Sequence, residues 1–454
     1  MSSSTLNSIT LTPNLIAGQH ICAGSSDKSI THRALILAAC AEGTSHIYHA
    51  SMAADCMSTL NACQVLGAEI VVAADHCRIT SAGAQKFKSP QQVLDFHNSG
   101  TTARLLVGLL AALAGRFFIC CGDKSLSVRP MRELISLLRD IGAQIMARND
   151  DQHLPLAISG TTLTPRRLRF DTASAQLKSA LLLAGMHAEA GQMHINLPSG
   201  TRQHTEEMLR MAGVDCHWQT QQERQLLTLT CPYSLPPLRL KIPNDPSSAA
   251  YFVALVLLSP VPMQVTLRNL CADPNRLGFV EVIKAMQGDV RLTTAIDNRG
   301  YATPVCDLTA CSGNQLQAVM LEQAIVPKII DEVMILALLA AFATGESQFK
   351  SLSALRSKES DRLTAIAVFI NNIGGKATIL ADASLIVQGT FGIGDKTKRP
   401  RSFTYDPAGD HRLAMTASIC ALLTESTCTI HQPACVGVSF PDFFAQLQAL
   451  HSRA

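Results

Sequence analysis

The amino-acid sequence predicts a mixed α/β protein of two lobes, each made of three copies of one repeated unit. Two kinds of helix recur along the chain, and the second kind ends at glycines that lie 75, 71, 75 and 86 residues apart. Such a period indicates an internal structural repeat. Helices of the first kind are apolar all round, so we expect sheets to wrap around them.

The first kind of helix is almost wholly apolar, often begins with a small polar or basic residue and commonly ends at glycine. Its six members are THRALILAACAEG (31–43), GTTARLLVGLLAALAG (100–115), SAQLKSALLLAGMHAEAG (174–191), SSAAYFVALVLLS (247–259), DEVMILALLAAFATG (331–345) and HRLAMTASICALLTES (411–426). They are too short to span a bilayer and contain small or polar residues, so we interpret them as buried helices.

The second kind of helix is amphipathic and is followed by a glycine and a β-prone run. Its members lie in residues 57–72, 131–147, 204–218, 279–293 and 361–380, with the glycines Gly67, Gly142, Gly213, Gly288 and Gly374. A sixth, PDFFAQLQAL (441–450), ends the chain with no strand after it. A strand around residues 7–11 is expected to supply the missing one, so that the chain closes on itself.

Six units divide naturally three and three. The polar, proline-containing segment KIPNDPSS (241–248) is the best candidate for a linker between the lobes. If the first strand joins the last units, the chain crosses a second time near Gly24. We therefore expect one lobe of residues 1–24 plus 246–454 and another of residues 25–245, with a ligand in the cleft between them.

Composition narrows the class of partner. A formal net charge of +3 is nearly neutral for 454 residues, which argues against a broad basic face for nucleic acid. Fifteen cysteines occur without CxxC pairs or a histidine-rich metal pattern, and the N-terminus lacks a secretory signal. We expect a cytoplasmic, monomeric protein with reduced thiols and with neither nucleic-acid nor membrane partners.

Polar and basic side chains gather where the buried helices start. They are Lys28, Ser29 and Arg33 in SDKSITHR, Asn98 to Arg104 in NSGTTAR, Ser174, Gln176 and Lys178 in SAQLK, Asp331 and Glu332 in IIDEV, and Asp410, His411 and Arg412 in GDHR. Ordinary capping explains the hydroxyls and acids. It does not explain Arg or Lys in a first turn, which the helix dipole disfavours unless an anion compensates. The recurrence therefore favours anion binding.

Two loops add further cations to these helix starts. GDKSLSVRPM (122–131) contributes Lys124 and Arg129, and PSGTRQH (198–204) contributes Arg202. Both loops are also compatible with plain surface turns before a helix, since proline suits a first helical turn. Together with the helix starts, they favour a substrate that bears phosphate and carboxylate groups.

The stretch LRSKESDRL (355–363) concentrates five ionisable side chains in a chain that is only 16% charged. A solvated helix start with exposed ion pairs is the simplest explanation. Given the cations elsewhere in the chain, a functional helix is the better interpretation. Such a helix places Lys358 and Arg362 on one face, with Glu359 adjacent to that face. Asp331 and Glu359 are then the carboxylates available for proton transfer.

These motifs together resemble a known family. SDKSITHRALILAA, LDFHNSGTTARLL, GDKSLSVRPM, SAQLKSALLLAG, DEVMILALLAAFATG, LRSKESDRL and DHRLAMTASI are similar, in order and over nearly the whole chain, to the 5-enolpyruvylshikimate-3-phosphate synthase family, in its class II form. The resemblance implies two lobes of three βαβαββ units each, the inverse α/β barrel of enolpyruvyl transferases. It also implies transfer of the enolpyruvyl group of phosphoenolpyruvate to the 5-hydroxyl of shikimate 3-phosphate through a tetrahedral adduct, with no metal or other cofactor.

The resemblance also assigns roles to individual residues. The implied catalytic residues are Asp331, as the base for the 5-hydroxyl proton, and Glu359 with Lys28, as the proton relay to the methylene carbon. The implied phosphoenolpyruvate ligands are Lys28, Gly100, Arg129, Gln176, Arg362 and Arg412. The implied shikimate 3-phosphate ligands are Ser29, Arg33, Ser174, Gln176, Arg202, Asp331 and Lys358.

Several positions depart from the family pattern. Ser25-Ser26 replaces the usual Pro-Gly, His97 the usual glycine before NSGTT, and Ala354 a residue that is polar in some members. Val438 stands where one class carries a substrate-binding lysine. The resemblance therefore implies no lysine contact with phosphoenolpyruvate from position 438.

Two other functions remain as alternatives. UDP-N-acetylglucosamine 1-carboxyvinyltransferase has the same repeats, but the slot of its cysteine, five residues before Arg129, is Lys124 here. A non-catalytic anion- or RNA-end-binding repeat protein would not need Asp331 and Glu359 among basic groups, and the near-neutral charge argues against RNA.

Overall fold

Short strands and helices alternate along the chain in this computed structural model, which describes residues 7–73, 76–294 and 299–451. The strands are β1 (Ser8–Leu11), β2 (Gly18–Cys22), β3 (Glu42–Tyr48), β4 (Glu69–Val72), β5 (His76–Ala82), β6 (Leu94–Asp95), β7 (Phe117–Cys121), β8 (Gln144–Ala147), β9 (His153–Ser159), β10 (Arg167–Arg169), β11 (Gly191–Pro198), β12 (Cys216–Gln221), β13 (Arg224–Cys231), β14 (Arg239–Lys241), β15 (Met263–Cys271), β16 (Asp289–Thr294), β17 (Val305–Cys311), β18 (Met320–Leu321), β19 (Glu346–Phe349), β20 (Lys376–Ile379), β21 (Leu385–Gln388), β22 (Thr404–Tyr405) and β23 (Cys428–His431).

The helices fall into the buried and outer kinds expected from the sequence, with two short additions, α5 and α10. They are α1 (Lys28–Cys40), α2 (Ala54–Leu66), α3 (Gly100–Ala111), α4 (Arg132–Asp140), α5 (Arg148–Asp151), α6 (Ala175–Gly185), α7 (His204–Met211), α8 (Pro246–Leu257), α9 (Gly278–Ala285), α10 (Val326–Ile329), α11 (Val333–Phe342), α12 (Arg362–Asn372), α13 (His411–Ala421) and α14 (Phe443–Gln448). Within the described ranges, no helix is long and apolar enough to cross a membrane.

Two compact units divide the chain. One, the 26–243 unit, comprises Ser26–Pro243 and Arg299–Thr303; the other, the 244–454 unit, comprises Met1–Ser25, Asn244–Asn298 and Pro304–Ala454. The expected limits were residues 24 and 246. The segment Arg299–Thr303 was expected in the lobe of residues 246–454 but belongs to the 26–243 unit. There the Gly300 carbonyl accepts a hydrogen bond from the Lys241 amide at 2.7 Å.

The sheets of the 26–243 unit share one pattern. Their strand orders in the described part of the chain are β14-β3-β5-β4, β6-β7-β9-β8 and β10-β11-β13-β12. The first two strands of each are parallel and the other neighbours are antiparallel. Parallel neighbours that follow each other in the chain need a crossover connection, usually a helix, and α3 and α6 provide it in the second and third sheets. This is the expected βαβαββ repeat.

The 244–454 unit builds its sheets partly from the N-terminal segment. Its described strands form the orders β16-β17-β15-β2, β18-β19-β21-β20 and β1-β23-β22. Strand β2 pairs in parallel with β15, and β1 pairs antiparallel with β23, with Ser8 opposite His431 and Leu11 opposite Cys428. The second pairing confirms the strand expected around residues 7–11, which completes the last repeat.

The apolar segments all form buried helices, namely α1, α3, α6, α8, α11 and α13. Every residue of α8 and α11 is buried, and these two helices with α13 form much of the hydrophobic core of the 244–454 unit. Asp245 caps α8 through the Ser247 amide, and Pro246 occupies its first turn, where a missing N–H costs no hydrogen bond. The fold class predicted from the sequence is confirmed.

The glycines that end the outer helices follow the prediction with one exception. Gly67, Gly142, Gly213 and Gly374 have left-handed φ angles between 83° and 118°, as expected for helix termination. At the fourth helix, Gln287 takes the left-handed position with φ 63°, and Gly288 follows it. A Cβ atom on Gly288 would lie 2.6 Å from the Ile283 side chain, so here glycine is needed for close packing rather than for φ.

Candidate active site

Lys28 begins α1 and faces an acidic partner. Asp27 caps this helix by accepting a hydrogen bond from the Ile30 amide at 2.8 Å, which fixes the first turn that carries Lys28. The Lys28 ammonium lies 2.7 Å from Asp55 Oδ2, at the start of α2, and the two side chains are 15% and 10% exposed. Sequence reasoning missed Asp55, because nothing local to an acidic residue in an outer helix indicates a partner 27 residues away.

Arg33 lies inside the 26–243 unit. Its Nε donates to Thr205 Oγ1 at 2.8 Å, one Nη to Ser179 Oγ at 3.0 Å and the other to the Ser29 carbonyl at 2.8 Å. The residue is 5% exposed. Arg33 therefore ties the first turns of α1 to α6 and α7, and it holds the backbone of Ser29 in place.

The start of α3 brings Arg104, Gln176 and Thr101 together. Arg104 Nη1 donates to Gln176 Oε1 at 3.0 Å, and Gln176 Nε2 donates to Thr101 Oγ1 at 2.9 Å. Ser99 caps α3 through the Thr102 amide. These contacts join the N-terminal ends of α3 and α6 and fix both ends of the Gln176 amide.

Arg129 lies against the same helix start. Its Nη2 donates to Asn98 Oδ1 at 2.9 Å, and Asn98 donates in turn to Asp123 Oδ2 at 2.7 Å. A Cβ atom at Gly100 would meet Arg104 Nη1 at 2.9 Å and Arg129 Nη1 at 3.1 Å. Glycine at position 100 thus lets two guanidinium groups approach one helix N-terminus, which is a natural anion site.

Ser174 and Arg202 both lie in the 26–243 unit. Ser174 caps α6, with its hydroxyl accepting from the Leu177 amide at 3.3 Å, and Arg202 lies in the loop between β11 and α7. Lys178, which the sequence groups with the anion-binding helix starts, is instead completely buried, 2.5 Å from Glu206 Oε1. That part of the sequence interpretation is wrong, because the Lys178 side chain points into the unit.

In the 244–454 unit, Asp410 organises the basic residues. It caps α13 by accepting from the Arg412 amide at 2.9 Å. It also accepts two hydrogen bonds from Arg362, at 2.8 and 3.1 Å, and one from Ser360 Oγ at 2.8 Å. A bidentate arginine–carboxylate pair is strong and geometrically specific, so Arg362 is rigidly held.

Burial and charge act in opposite directions on this pair. Burial alone would raise the pKa of Asp410, but the Arg362 charge and its hydrogen bonds hold it below the ordinary value. Burial alone would lower the pKa of Arg362, but Asp410 and Glu359 raise it. Glu359 Oε2 lies 2.7 Å from Arg362 Nη2. Arg362 is thus a buried cation shared by two carboxylates.

The helix expected over LRSKESDRL is not formed. Ser353–Ser357 is a 3-10 helix, Lys358 is extended, and α12 begins only at Arg362. Asp361 accepts from the Thr364 amide at 3.1 Å; this capping starts the helix after Lys358 and Glu359. The two residues therefore lie on an irregular segment rather than on a shared helix face with Arg362.

Asp331 lies two residues before α11 and contacts two of the predicted cations. Its carboxylate is 3.5 Å from Lys358 Nζ, and its backbone carbonyl accepts from Arg412 Nη1 at 2.9 Å. Burial alone would lower the pKa of Arg412, but Asp331 and Tyr251 raise it. The structure thereby connects the predicted residues of this unit: Asp331, Lys358, Glu359, Arg362 and Arg412.

Six of the eight predicted residues of the 26–243 unit lie in three groups. They are Lys28 with Asp55; Ser29 with Arg33; and Gly100, Arg129 and Gln176 around Arg104. In the part of the chain that the structure describes, no group of three or more His, Cys, Asp or Glu side chains could hold a metal ion. In the 244–454 unit, the cations Lys358 and Arg362 lie beside the carboxylates of Asp331 and Glu359.

The fold defines the class of protein first. The enolpyruvyl transferase NikO from Streptomyces tendae has a similar structure, with a TM-score of 0.72 over 98% of this chain and 97% of that chain. At 16% identity this likeness concerns the fold alone, which is that of the enolpyruvyl transferases.

Closer relatives identify the family within that class. EPSP synthase from Acinetobacter baumannii has a TM-score of 0.83 and 31% identity, over 97% of this chain and 98% of that chain. The 3-phosphoshikimate 1-carboxyvinyltransferases of Thermosynechococcus vestitus and Roseiflexus sp. are 39% and 36% identical, covering 93% and 94% of this chain and 93% and 95% of their own. The family model described as EPSP synthase (3-phosphoshikimate 1-carboxyvinyltransferase) matches residues 19–447. The chain belongs to the EPSP synthase family.

Proposed function

We propose that this protein transfers the enolpyruvyl group of phosphoenolpyruvate to the 5-hydroxyl of shikimate 3-phosphate, releasing phosphate. This is the 3-phosphoshikimate 1-carboxyvinyltransferase reaction (EC 2.5.1.19) of the shikimate pathway to chorismate and the aromatic amino acids. In a chain of this family, the observation that carries the proposal is the connected set of Asp331 and Glu359 with Lys358, Arg362 and Arg412.

The proposed phosphoenolpyruvate ligands are Lys28, Gly100, Arg129, Gln176, Arg362 and Arg412. Phosphoenolpyruvate carries a phosphate and a carboxylate, and planar guanidinium groups bind both in a bidentate manner. The approach of Arg129 to the start of α3 at Gly100 supports a role in holding one of these anions.

The proposed shikimate 3-phosphate ligands are Ser29, Arg33, Ser174, Gln176, Arg202, Asp331 and Lys358. For Arg33, the three hydrogen bonds to Thr205, Ser179 and the Ser29 carbonyl support a mainly indirect contribution, by fixing Ser29. Lys358 is 30% exposed on its side chain and keeps its ammonium beside Asp331.

Asp331 is proposed to act as the base. It takes the proton from the 5-hydroxyl as that oxygen bonds to C2 of phosphoenolpyruvate, while C3 gains a proton from the relay of Glu359 and Lys28. The relay then takes back one proton from the new methyl group of the tetrahedral adduct. The electron pair of that C–H bond forms the C=C bond, and phosphate leaves with the electron pair of its C–O bond. General acid–base steps need groups held within reach of the proton, and the contacts of Asp331 and Glu359 provide that restraint.

We propose a monomeric, cytoplasmic enzyme that uses no metal or other cofactor and has neither nucleic-acid nor membrane partners. The near-neutral charge of +3 supports the absence of a nucleic-acid partner.

The experiment that tests the function is an assay of phosphate release from phosphoenolpyruvate. Release should require shikimate 3-phosphate and should continue when a chelator is present. Release that requires UDP-N-acetylglucosamine instead would favour the sister enzyme. Binding of either phosphorylated compound without any release would favour a non-catalytic anion-binding protein.

A further inference from the structure

We propose that the buried ion pair of Lys178 and Glu206 is a positioning device for the Arg202 loop, residues 199–203 between β11 and α7. By fixing this loop, the pair sets the affinity for shikimate 3-phosphate. The inference rests on the proposed function, in which Arg202 is a ligand of that substrate.

The pair connects two parts of the unit that both carry proposed substrate ligands. Lys178 lies on α6, two residues after Gln176 and four after Ser174. Its ammonium is 2.5 Å from Glu206 Oε1, at the start of α7, and donates to Thr201 Oγ1 at 3.0 Å. Thr201 immediately precedes Arg202, so one ammonium group links helix, loop and helix.

The loop itself needs such an anchor. Gly200 has a φ of 83°, a left-handed conformation that glycine adopts without steric cost because it has no Cβ atom. The loop start is held by the Ser199 amide, which donates to the Glu223 carbonyl at 2.8 Å. Beyond the glycine, Thr201 is 4% exposed, so its hydroxyl provides a buried attachment directly beside Arg202.

Stability alone is a poor explanation for this ion pair. The side chains of Lys178 and Glu206 are both 0% exposed, and removing two charges from water is expensive. Apolar residues of similar volume often stabilise a fold equally well. What apolar residues do not supply is the directed hydrogen bond to Thr201, because an ammonium has three donors and can serve several partners at fixed angles.

A second set of contacts keeps α7 in place independently of the pair. Thr205, the residue before Glu206, accepts from Arg33 at 2.8 Å and shares a 2.6 Å hydrogen bond with Ser179. Replacing the ion pair by apolar residues therefore removes the anchor of the loop while α7 stays attached to α6.

The double variant Lys178→Met/Glu206→Met tests the proposal. We expect KM and the dissociation constant for shikimate 3-phosphate to rise about tenfold, the size expected for a lost charge-assisted hydrogen bond. KM for phosphoenolpyruvate and kcat should stay within about twofold of wild type, because Arg202 is not among the ligands of that substrate. Equal changes for both substrates, or an unchanged dissociation constant for shikimate 3-phosphate, would overturn the proposal.

If the double variant does not fold, a milder variant tests whether the hydrogen bond to Thr201 positions the loop. Thr201→Val keeps the shape of the side chain and the Lys178–Glu206 pair but removes the attachment of the loop. We expect the same selective loss of shikimate 3-phosphate affinity, by about threefold or more. An affinity equal to that of wild type overturns the proposal.

The matched control is Tyr233→Phe. The Tyr233 hydroxyl donates to the Leu182 carbonyl of the same helix at 2.8 Å, near the end opposite Ser174. This variant should lower the melting temperature without changing either KM, which separates loss of stability from loss of positioning. If the wild-type protein shows no phosphate release with shikimate 3-phosphate, the proposed function fails, and the binding measurements then report on the loop alone.

Discussion

Two arginines of the 26–243 unit and one of the 244–454 unit are held in different ways. In the 26–243 unit, Arg104 and Arg129 donate to the side-chain oxygens of Gln176 and Asn98. In the 244–454 unit, Arg362 contacts the carboxylates of Asp410 and Glu359. Guanidinium groups held by neutral oxygens keep their full charge for an anionic ligand. A cation paired with carboxylates instead keeps those acids ionised and oriented. We therefore expect Arg129 to present its charge to an anionic ligand, and Arg362 to orient Glu359 in addition to its proposed contact with phosphoenolpyruvate.

Among these variants, Asp331→Asn should cause the largest loss of activity. The amide keeps the shape of the side chain but cannot take a proton, so kcat should fall about 10³-fold. The affinity for shikimate 3-phosphate should survive. Steady-state kinetics and equilibrium binding measure the two quantities separately, and a rate close to that of wild type would rule out Asp331 as the base.

Asp410→Asn should cause the largest loss of stability. Arg362 is 1% exposed, and the variant leaves this buried charge without one of its carboxylates, at a cost of about 3 kcal/mol in the free energy of unfolding. Urea unfolding at neutral pH measures the loss. A difference below about 1 kcal/mol would mean that the pair behaves like an exposed one.

The pH dependence of stability provides an independent check. The pKa of Asp410 is below its ordinary value of 3.8 in the folded protein, so its stabilisation is present above that value and disappears as the pH falls through the lower, folded pKa. The gap in unfolding free energy between wild type and Asp410→Asn should therefore narrow below pH 3.8. A gap that stays constant into acid would contradict the charge-based explanation.

Gly100→Ala should affect the 26–243 unit selectively. The added Cβ atom would lie 2.9 Å from Arg104 Nη1 and 3.1 Å from Arg129 Nη1. Both atoms are at the ends of flexible side chains, so the fold should tolerate the change while the guanidinium groups move. We expect KM for phosphoenolpyruvate to rise about tenfold, with KM for shikimate 3-phosphate as the internal control. Equal increases in both constants would indicate a general distortion.

Asp55→Asn should have the smallest effect of the series. Without the Asp55 carboxylate, the Lys28 side chain is less well oriented, which should lower the rate. The electrostatic potential around Lys28 also becomes more positive, which should favour binding of an anionic substrate. Because these consequences oppose each other, we expect kcat to fall by only about threefold. Kinetics at two salt concentrations measure the balance, and a hundredfold loss would show that Asp55 takes part in proton transfer.

Most of the fold could be predicted from the sequence because the same pattern of helices and glycines recurs in each repeat. Apolar helices, glycines after outer helices and the strand at residues 7–11 all follow from local patterns, and the structure agrees with them. Gly288 shows the limit, since its neighbour Gln287 takes the left-handed turn. A glycine required for packing and a glycine required for φ look alike in a sequence.

The candidate site was less accessible to sequence reasoning than the fold. The cations at helix starts could be listed from the sequence, but spacing alone placed Lys358 on a helix that begins only at Arg362. Lys178 pairs with Glu206, and Lys28 with Asp55. Both partners are 27 or more residues away in the chain, so only the tertiary fold distinguishes a buried structural cation from one available to a substrate.

The route of the chain through its strands has a consequence for biosynthesis. Strands β1 and β2 are made first, yet they pair with β23 and β15, which leave the ribosome much later. The 26–243 unit needs only Arg299–Thr303 from beyond its own continuous stretch, so its sheets can form while translation continues. Strands β1 and β2 lack these partners during that time, and the last repeat closes only after β23 has emerged.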